Sequence, residues 1–411
     1  MKGISLIKLL KIGFNFLVLF PLIPNRIKGL PVVFILVISF FIFISEKKRE
    51  FNWKFWLINS SVYLFYVFTI LYTYNLNYAL KKLETSLSLI AFPLIFSLLW
   101  KIRDKINFKK LLINNINFFF HSIFLYAVII ISRLIYVGLF SNINDPGFSR
   151  HFTQYVPLIG QHPIYASMYL GLGFLSFLYL IQFKKSFKYK FLLIMEVLFI
   201  FLLLVLLASK GVLISTFVAI IIYCLLIISN RTNRIIIVIS ILGFLIFSIK
   251  YTPSLSNRFN SFKSSLLISN YKEKPNSTQT RKIIYNCSLM LLKNNWILGY
   301  GIGDVNDQLK SCYEAKYKNI LEGNFNAHNQ YLSIFLSCGL LGLVTLFYFL
   351  YYNFKILLYE KNYFCISVFL FFIIIFFIEN ILERQSGVIL FSFFINFFSF
   401  INLKKSVTQN I

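Results

Sequence analysis

Apolar runs of bilayer-spanning length recur along almost the whole chain, and no other feature limits its possible folds so strongly. A helix needs roughly 17 to 25 mostly apolar residues to cross the hydrocarbon layer. Twelve segments approach that length, near residues 10–24, 29–45, 55–75, 86–100, 115–140, 163–182, 191–208, 210–228, 234–249, 329–353, 362–380 and 386–402. The first and fourth are short and open to a tilted or re-entrant reading, which leaves eleven or twelve spans. Fifty phenylalanines, and a hydrophobic share of 58% against 13% charged, are more than a soluble domain can hide. The expectation is an all-α polytopic membrane protein, with a bundle over residues 1–249, a large loop with two short helices over 250–328, and the rest of the bundle over 329–411.

A net charge of +27 would suggest nucleic acid in a soluble chain, but here the basic residues sit in short clusters between apolar runs and read as topology. Alternate connections are rich in them: Lys47, Lys48, Arg49 and Lys54, then Lys101, Arg103, Lys105, Lys109 and Lys110, then Lys184, Lys185, Lys188 and Lys190. These loops are expected in the cytoplasm. With Lys2, Lys8 and Lys11 ahead of the first span and Lys404 and Lys405 behind the last, twelve spans put both termini inside. No small-residue cleavage site follows the first apolar run, so it reads as an uncleaved span.

Alternation then places residues 250–328 on the outer face. That loop carries eleven Lys or Arg against five Asp or Glu, a surface suited to phosphate, pyrophosphate or acidic glycan and equally to plain solvation. Within it, Thr280–Asn295 spaces Ile283, Ile284, Cys287, Met290 and Leu291 at helical intervals, giving an amphipathic helix on the membrane surface. The turn "GYGIGD" follows, and Asp304 is placed to cap a second helix. Gly301 and Gly303 are either a tight turn or amide donors to a phosphate. Cys287 and Cys312 are either a disulfide pair or two separate thiols.

Charge inside a span is costly and needs a reason. Lys210, in "LLASKGVLIS", interrupts two apolar runs at an outer hairpin tip, and Arg133 lies within a span, free to snorkel outward. Glu379, Glu383 and Arg384, in "FIENILERQSG", gather at another outer end, as a structural ion pair or as functional groups. Glu196 reads as structural. Of the four histidines, His121 lies on an apolar helix toward the cytoplasm, while His151, His162 and His328 face outward. Their spacing does not suggest a metal site, and no cofactor is expected.

"NAHNQYLSIFLSCG", from Asn326 to Gly339, sets His328 between a polar tip and a membrane helix, with ten residues between it and Gly339. This pattern resembles the signature of the O-antigen ligase and O-antigen polymerase family. "SKGVLIS" resembles its Ser-Arg-Gly element, with lysine at position 210 where the family has arginine. "TRKIIYN…NNWILGYGIGD" resembles its loop arginine and glycine turn, and "GLLGL" follows the histidine helix as expected. "HPIYASMYL" and "ERQSG" resemble elements found in a subset of such proteins.

The resemblance implies a fold like that of the membrane-embedded GT-C glycosyltransferases. It also implies inverting glycan transfer at the periplasmic face of the bacterial inner membrane, from an undecaprenyl-pyrophosphate carrier to a hydroxyl of lipid A–core or another glycan acceptor. Membrane lipids are the other expected partners, and nucleic acid is not one. In that reading His328 is the general base, and Arg281 and Lys210 stabilise the departing pyrophosphate. Arg133, His162, Tyr165, Asn329, Gly301, Gly303, Glu383 and Arg384 surround the substrates. Glu383 is the rival base. A polysaccharide polymerase or a protein-directed transferase shares every one of these motifs, and a flippase of lipid-linked oligosaccharide is the more distant reading.

Overall fold

A computed structural model describes residues 2–140, 153–183, 186–207, 209–251, 256, 277–317 and 324–403. His151, Lys184, Lys185, Lys404, Lys405 and most of 252–276, all weighed above, lie outside the described residues. Those described form fifteen α-helices and no strand. They are α1 Lys2–Val18, α2 Leu30–Ser45, α3 Trp53–Phe68, α4 Leu76–Ser86, α5 Ser88–Leu98, α6 Phe108–Phe140, α7 Pro163–Leu180 and α8 Phe187–Leu207, followed by α9 Lys210–Ile227, α10 Arg231–Tyr251, α11 Ser277–Asn294, α12 Val305–Tyr317, α13 Gln330–Tyr359, α14 Tyr363–Phe376 and α15 Gln385–Asn402.

A helix lies over each of the twelve apolar segments. Eight among the described residues are long and apolar enough to cross a membrane. The helices over the first, fourth, ninth and eleventh segments are not among the eight; those over the first, fourth and eleventh have 17, 11 and 14 residues. Burial separates inner from outer helices. The spans of α7 and α15 are 78% and 89% buried in protein, whereas those of α2 and α3 are 39% buried and turn apolar side chains such as Val33, Phe40, Phe41 and Leu57 outward, as lipid contact requires. Around α15 the core is aromatic, with Phe14, Phe92, Phe96, Phe393, Phe397 and Phe400 in ring contact. Buried amides pair: Asn353 donates to Asn59 at 2.9 Å, and such pairing avoids the cost of an unsatisfied polar group in hydrocarbon.

The long connection between α10 and α13 builds a small core of its own. Ile283, Ile284, Cys287 and Leu292 of α11 pack on Val305, Leu309 and Tyr313 of α12, and on Ala327 and Leu336 at the start of the His328 helix. The apolar stripe read from the sequence as membrane-facing is therefore covered largely by protein. Cys287 and Cys312 form a disulfide that joins α11 to α12, with Cα atoms 5.8 Å apart.

The histidine helix α13 breaks at Gly339, whose φ of 63° and ψ of −164° belong to a region open almost only to glycine. The turn segment before α12 fills the break. Tyr300 N–H donates to Leu336 O at 2.7 Å, Gly301 N–H to Ser337 O at 2.9 Å and Leu340 N–H to Trp296 O at 2.9 Å. A Cβ on Gly339 would collide with the carbonyl of Ile297. Gly339→Ala is thus expected to destabilise the protein by about 1–3 kcal/mol, seen as a lowered Tm in detergent. Gly243→Ala, where a Cβ meets open space, should leave Tm near that of the parent.

Candidate active site

Helix ends and one turn converge around Glu379. The turn between α14 and α15, residues 377–384, is held by the first residues of α13 and α7. Asn329 Nδ2 donates to Phe377 O at 3.2 Å, Gln330 Oε1 accepts from Leu382 N–H at 2.9 Å, and the Tyr165 hydroxyl donates to Asn380 O at 3.3 Å. These bonds aim the Glu379 carboxylate, nearly buried at 7% exposure, at an imidazole and a guanidinium. His328 Nδ1 lies 3.3 Å from Oε1 and Arg281 Nη2 3.4 Å from Oε2. Burial by itself would raise the Glu379 carboxyl; the hydrogen bond from His328 and the charges of His328, Arg281 and His162 outweigh it and hold the group below the ordinary carboxylate range.

His328 is fixed from both sides. Its backbone sits at a φ of 46°, a left-handed conformation uncommon for a non-glycine residue and one that collects at functional sites. Its N–H donates to Asn326 Oδ1 at 3.1 Å and its carbonyl accepts from the Tyr285 hydroxyl, one turn beyond Arg281 on α11, at 3.2 Å. Asn329 caps α13, its side chain accepting from Leu332 N–H at 3.0 Å. With Nδ1 on the carboxylate, the proton of a neutral imidazole rests there, and the Nε2 lone pair is left to accept another.

The other site residues read from the sequence fall around this contact or away from it. Lys210 is the first residue of α9, and Gly211 beside it packs so closely on Ile378, next to Glu379, that a Cβ would clash. His162 caps α7, accepting from Ile164 N–H at 3.4 Å, and its charge is felt at Glu379. Arg384 lies over the Tyr165 ring, 5.9 Å from its centre. Arg133 is stacked 5.1 Å from the ring of Tyr136 on its own helix and is not brought to Glu379. Gly301 and Gly303 are packed against Thr73 and Asn75, with the Gly301 amide on Ser337; in this structure they form a joint between segments. Asp304 precedes α12 as the cap position requires, but its carboxylate accepts from Tyr74 and Asn75 N–H, both at 2.8 Å.

The carboxylates of the "ENILER" turn do not pair with Arg384. Glu379 takes Arg281 and His328, while Glu383 takes Lys82 and accepts from Ser333 Oγ at 3.1 Å. The carboxylate at the histidine is Glu379, not the Glu383 that the sequence favoured as rival base. Lys82 was not singled out from the sequence, because α4 lies in a polar connection with no chemical motif. Glu379 carried one signal, a charge at the end of an apolar run. Glu196 pairs with His121 at 3.2 Å, in a separate contact between α6 and α8.

Residues 195–347 match the family model described as O-antigen ligase. A search of curated proteins returns no match. The matched segment contains Lys210, Arg281, His328 and Gly339, and it stops short of Glu379, Glu383 and Arg384. Over that segment, which carries His328, Arg281 and Lys210, the chain is similar to the O-antigen ligase family.

Proposed function

We propose that the protein moves a glycan from an undecaprenyl-pyrophosphate carrier to an acceptor hydroxyl, of lipid A–core in the first instance, at the periplasmic face of the inner membrane. The match of residues 195–347 to the O-antigen ligase model supports glycan transfer of the ligase or polymerase type at a general level. The observation that carries the finer reading is the carboxylate of Glu379 held between His328 and Arg281. A carboxylate on one imidazole nitrogen fixes the tautomer and stabilises the imidazolium formed when the other nitrogen takes a proton. The Cys287–Cys312 disulfide suits an oxidising compartment and so the outer face.

In this mechanism His328 Nε2 takes the proton of the acceptor hydroxyl as that oxygen attacks the anomeric carbon. The bond from that carbon to the pyrophosphate oxygen breaks, and its electron pair leaves with the carrier lipid. Arg281, whose guanidinium keeps donors beyond the one on Glu379, and Lys210, as a point charge, stabilise the negative charge that grows there. One displacement with no covalent intermediate inverts the configuration.

Lys210 gives the test of that division of roles, with proteoliposomes holding lipid-linked donor and acceptor. Lys210→Arg is expected to keep or raise the rate, because it retains the charge and adds a planar fork. Lys210→Ala should lower it by a factor on the order of 10², the usual worth of a charge contact in the transition state. An inactive Lys210→Arg beside a fully active Lys210→Ala would remove Lys210 from the mechanism.

A further inference from the structure

A cleft of about 380 Å³ opens beside the Glu379 turn, between α4, the start of α12 and the residues before His328. Besides Glu383 and Arg384 it is lined by Tyr78, Asn306, Asp307, Asn324 and Asn326. Of these five, the proposed chemistry uses only Asn326, through its bond from the His328 N–H. We infer that the cleft binds an uncharged, hydroxyl-rich sugar residue next to the reacting one. The inference deepens the glycan-transfer reading and rests on it for the source of the ligand.

Three observations carry it. The first is hydrogen-bonding character. Three asparagine amides, each both donor and acceptor, share the wall with two carboxylates, a phenol and a guanidinium. A sugar hydroxyl, which donates and accepts, can meet all of these, whereas a phosphate offers only acceptors and would face the acceptor-only oxygens of Asp307 and Glu383. The second is charge. Lys82 neutralises Glu383 and Arg384 balances Asp307, so the cleft holds no net charge to select an anion, in contrast to the Arg281 and Lys210 side. Its volume falls within the roughly 300–1,000 Å³ of small-molecule sites.

The third is position and rigidity. Asn326 lines the cleft and also accepts the His328 N–H, so the cleft begins two residues from the base. Its walls are tied together: Asn306 Nδ2 donates to the Tyr78 hydroxyl at 2.6 Å, Asn75 Nδ2 to Asp307 at 3.0 Å, and Asp304 holds the turn before α4. A site set in advance binds without the cost of ordering its own side chains. A sugar lying here would present its neighbour in the chain to His328.

The test is binding to the full-length protein in detergent, followed by calorimetry. Three probes are used: the saccharide cut from the lipid-linked donor, the saccharide cut from the acceptor lipid, and inorganic pyrophosphate. One of the two saccharides is expected to bind, and which one binds names the source. Its affinity should fall about tenfold in Asn306→Ala and in Asn324→Ala, near the upper worth of one hydrogen bond. Asn324 is exposed, so its replacement does not threaten the fold. Arg281→Ala should weaken pyrophosphate and spare the saccharide. The proposal is overturned if neither saccharide binds, if both asparagine variants bind it as tightly as the parent, or if pyrophosphate displaces it competitively. Saccharide binding with no transfer by the parent protein would keep the subsite and sink the transferase reading; transfer without such binding would do the reverse.

Discussion

His328→Ala is expected to reduce glycan transfer by about 10² to 10⁴, the range over which a general base contributes, and lipid-linked donor should accumulate in cells that carry it. The size of the effect follows from what surrounds the ring. Nδ1 is committed to Glu379 at 3.3 Å, and the backbone is fixed by Asn326 and Tyr285, so the ring is positioned through both its side chain and its backbone. An imidazolium cannot accept the hydroxyl proton, so transfer by wild-type protein should show an acid limb. Glu379 is not the source of that limb. Its carboxyl is held below the ordinary carboxylate range. Glu379→Gln should lower the rate and also move the acid limb to lower pH, because removing a negative neighbour disfavours the imidazolium. A merely structural glutamate would lower the rate and leave the limb in place. Near-normal turnover by purified His328→Ala would refute the base assignment.

Arg281→Ala should cost about 10² to 10³ in rate with the protein still folded in the membrane, the loss typical of removing one donor aimed at developing charge. Arg281→Lys should recover little of it, because a lysine cannot keep one donor on Glu379 while presenting a planar pair to pyrophosphate. Two effects combine in the alanine variant: the leaving group loses a cation, and Glu379 loses the charge that shares its carboxylate with His328 at 3.4 Å. Comparing donors separates them. A variant that slows transfer from every donor equally has disturbed His328, whereas one that is rescued by a better leaving group has lost the pyrophosphate contact. Added chelator is expected to leave the wild-type rate unchanged, since Arg281 and Lys210 supply the positive charge in this mechanism. Wild-type turnover in Arg281→Ala would reduce the residue to a surface cation.

The fold class was legible because lipid imposes it residue by residue: a run of apolar side chains long enough to cross the bilayer is readable in one dimension, and a helix lies over each such run. The two outer helices, His328 at the mouth of α13 and the loop arginine were legible for similar reasons, through period and local motif. The sequence also showed that Gly339 follows His328 at a fixed distance, but not why. Only the structure shows the 296–301 segment seated in the broken helix, where a side chain has no room. Charges far apart in the chain were another matter. Arg281 meets Glu379 across 98 positions and Lys82 meets Glu383 across 301, and no spacing rule reaches that far. Which carboxylate would orient the histidine, whether Cys287 would pair with Cys312, and whether Gly301 would offer its amide or spend it depended on how the helix ends pack. Sequence by itself determined which segments are apolar enough to enter a membrane and which residue types stand at their ends, because hydropathy is local; the tertiary structure alone decided which charges share a carboxylate, because that depends on distances set by packing.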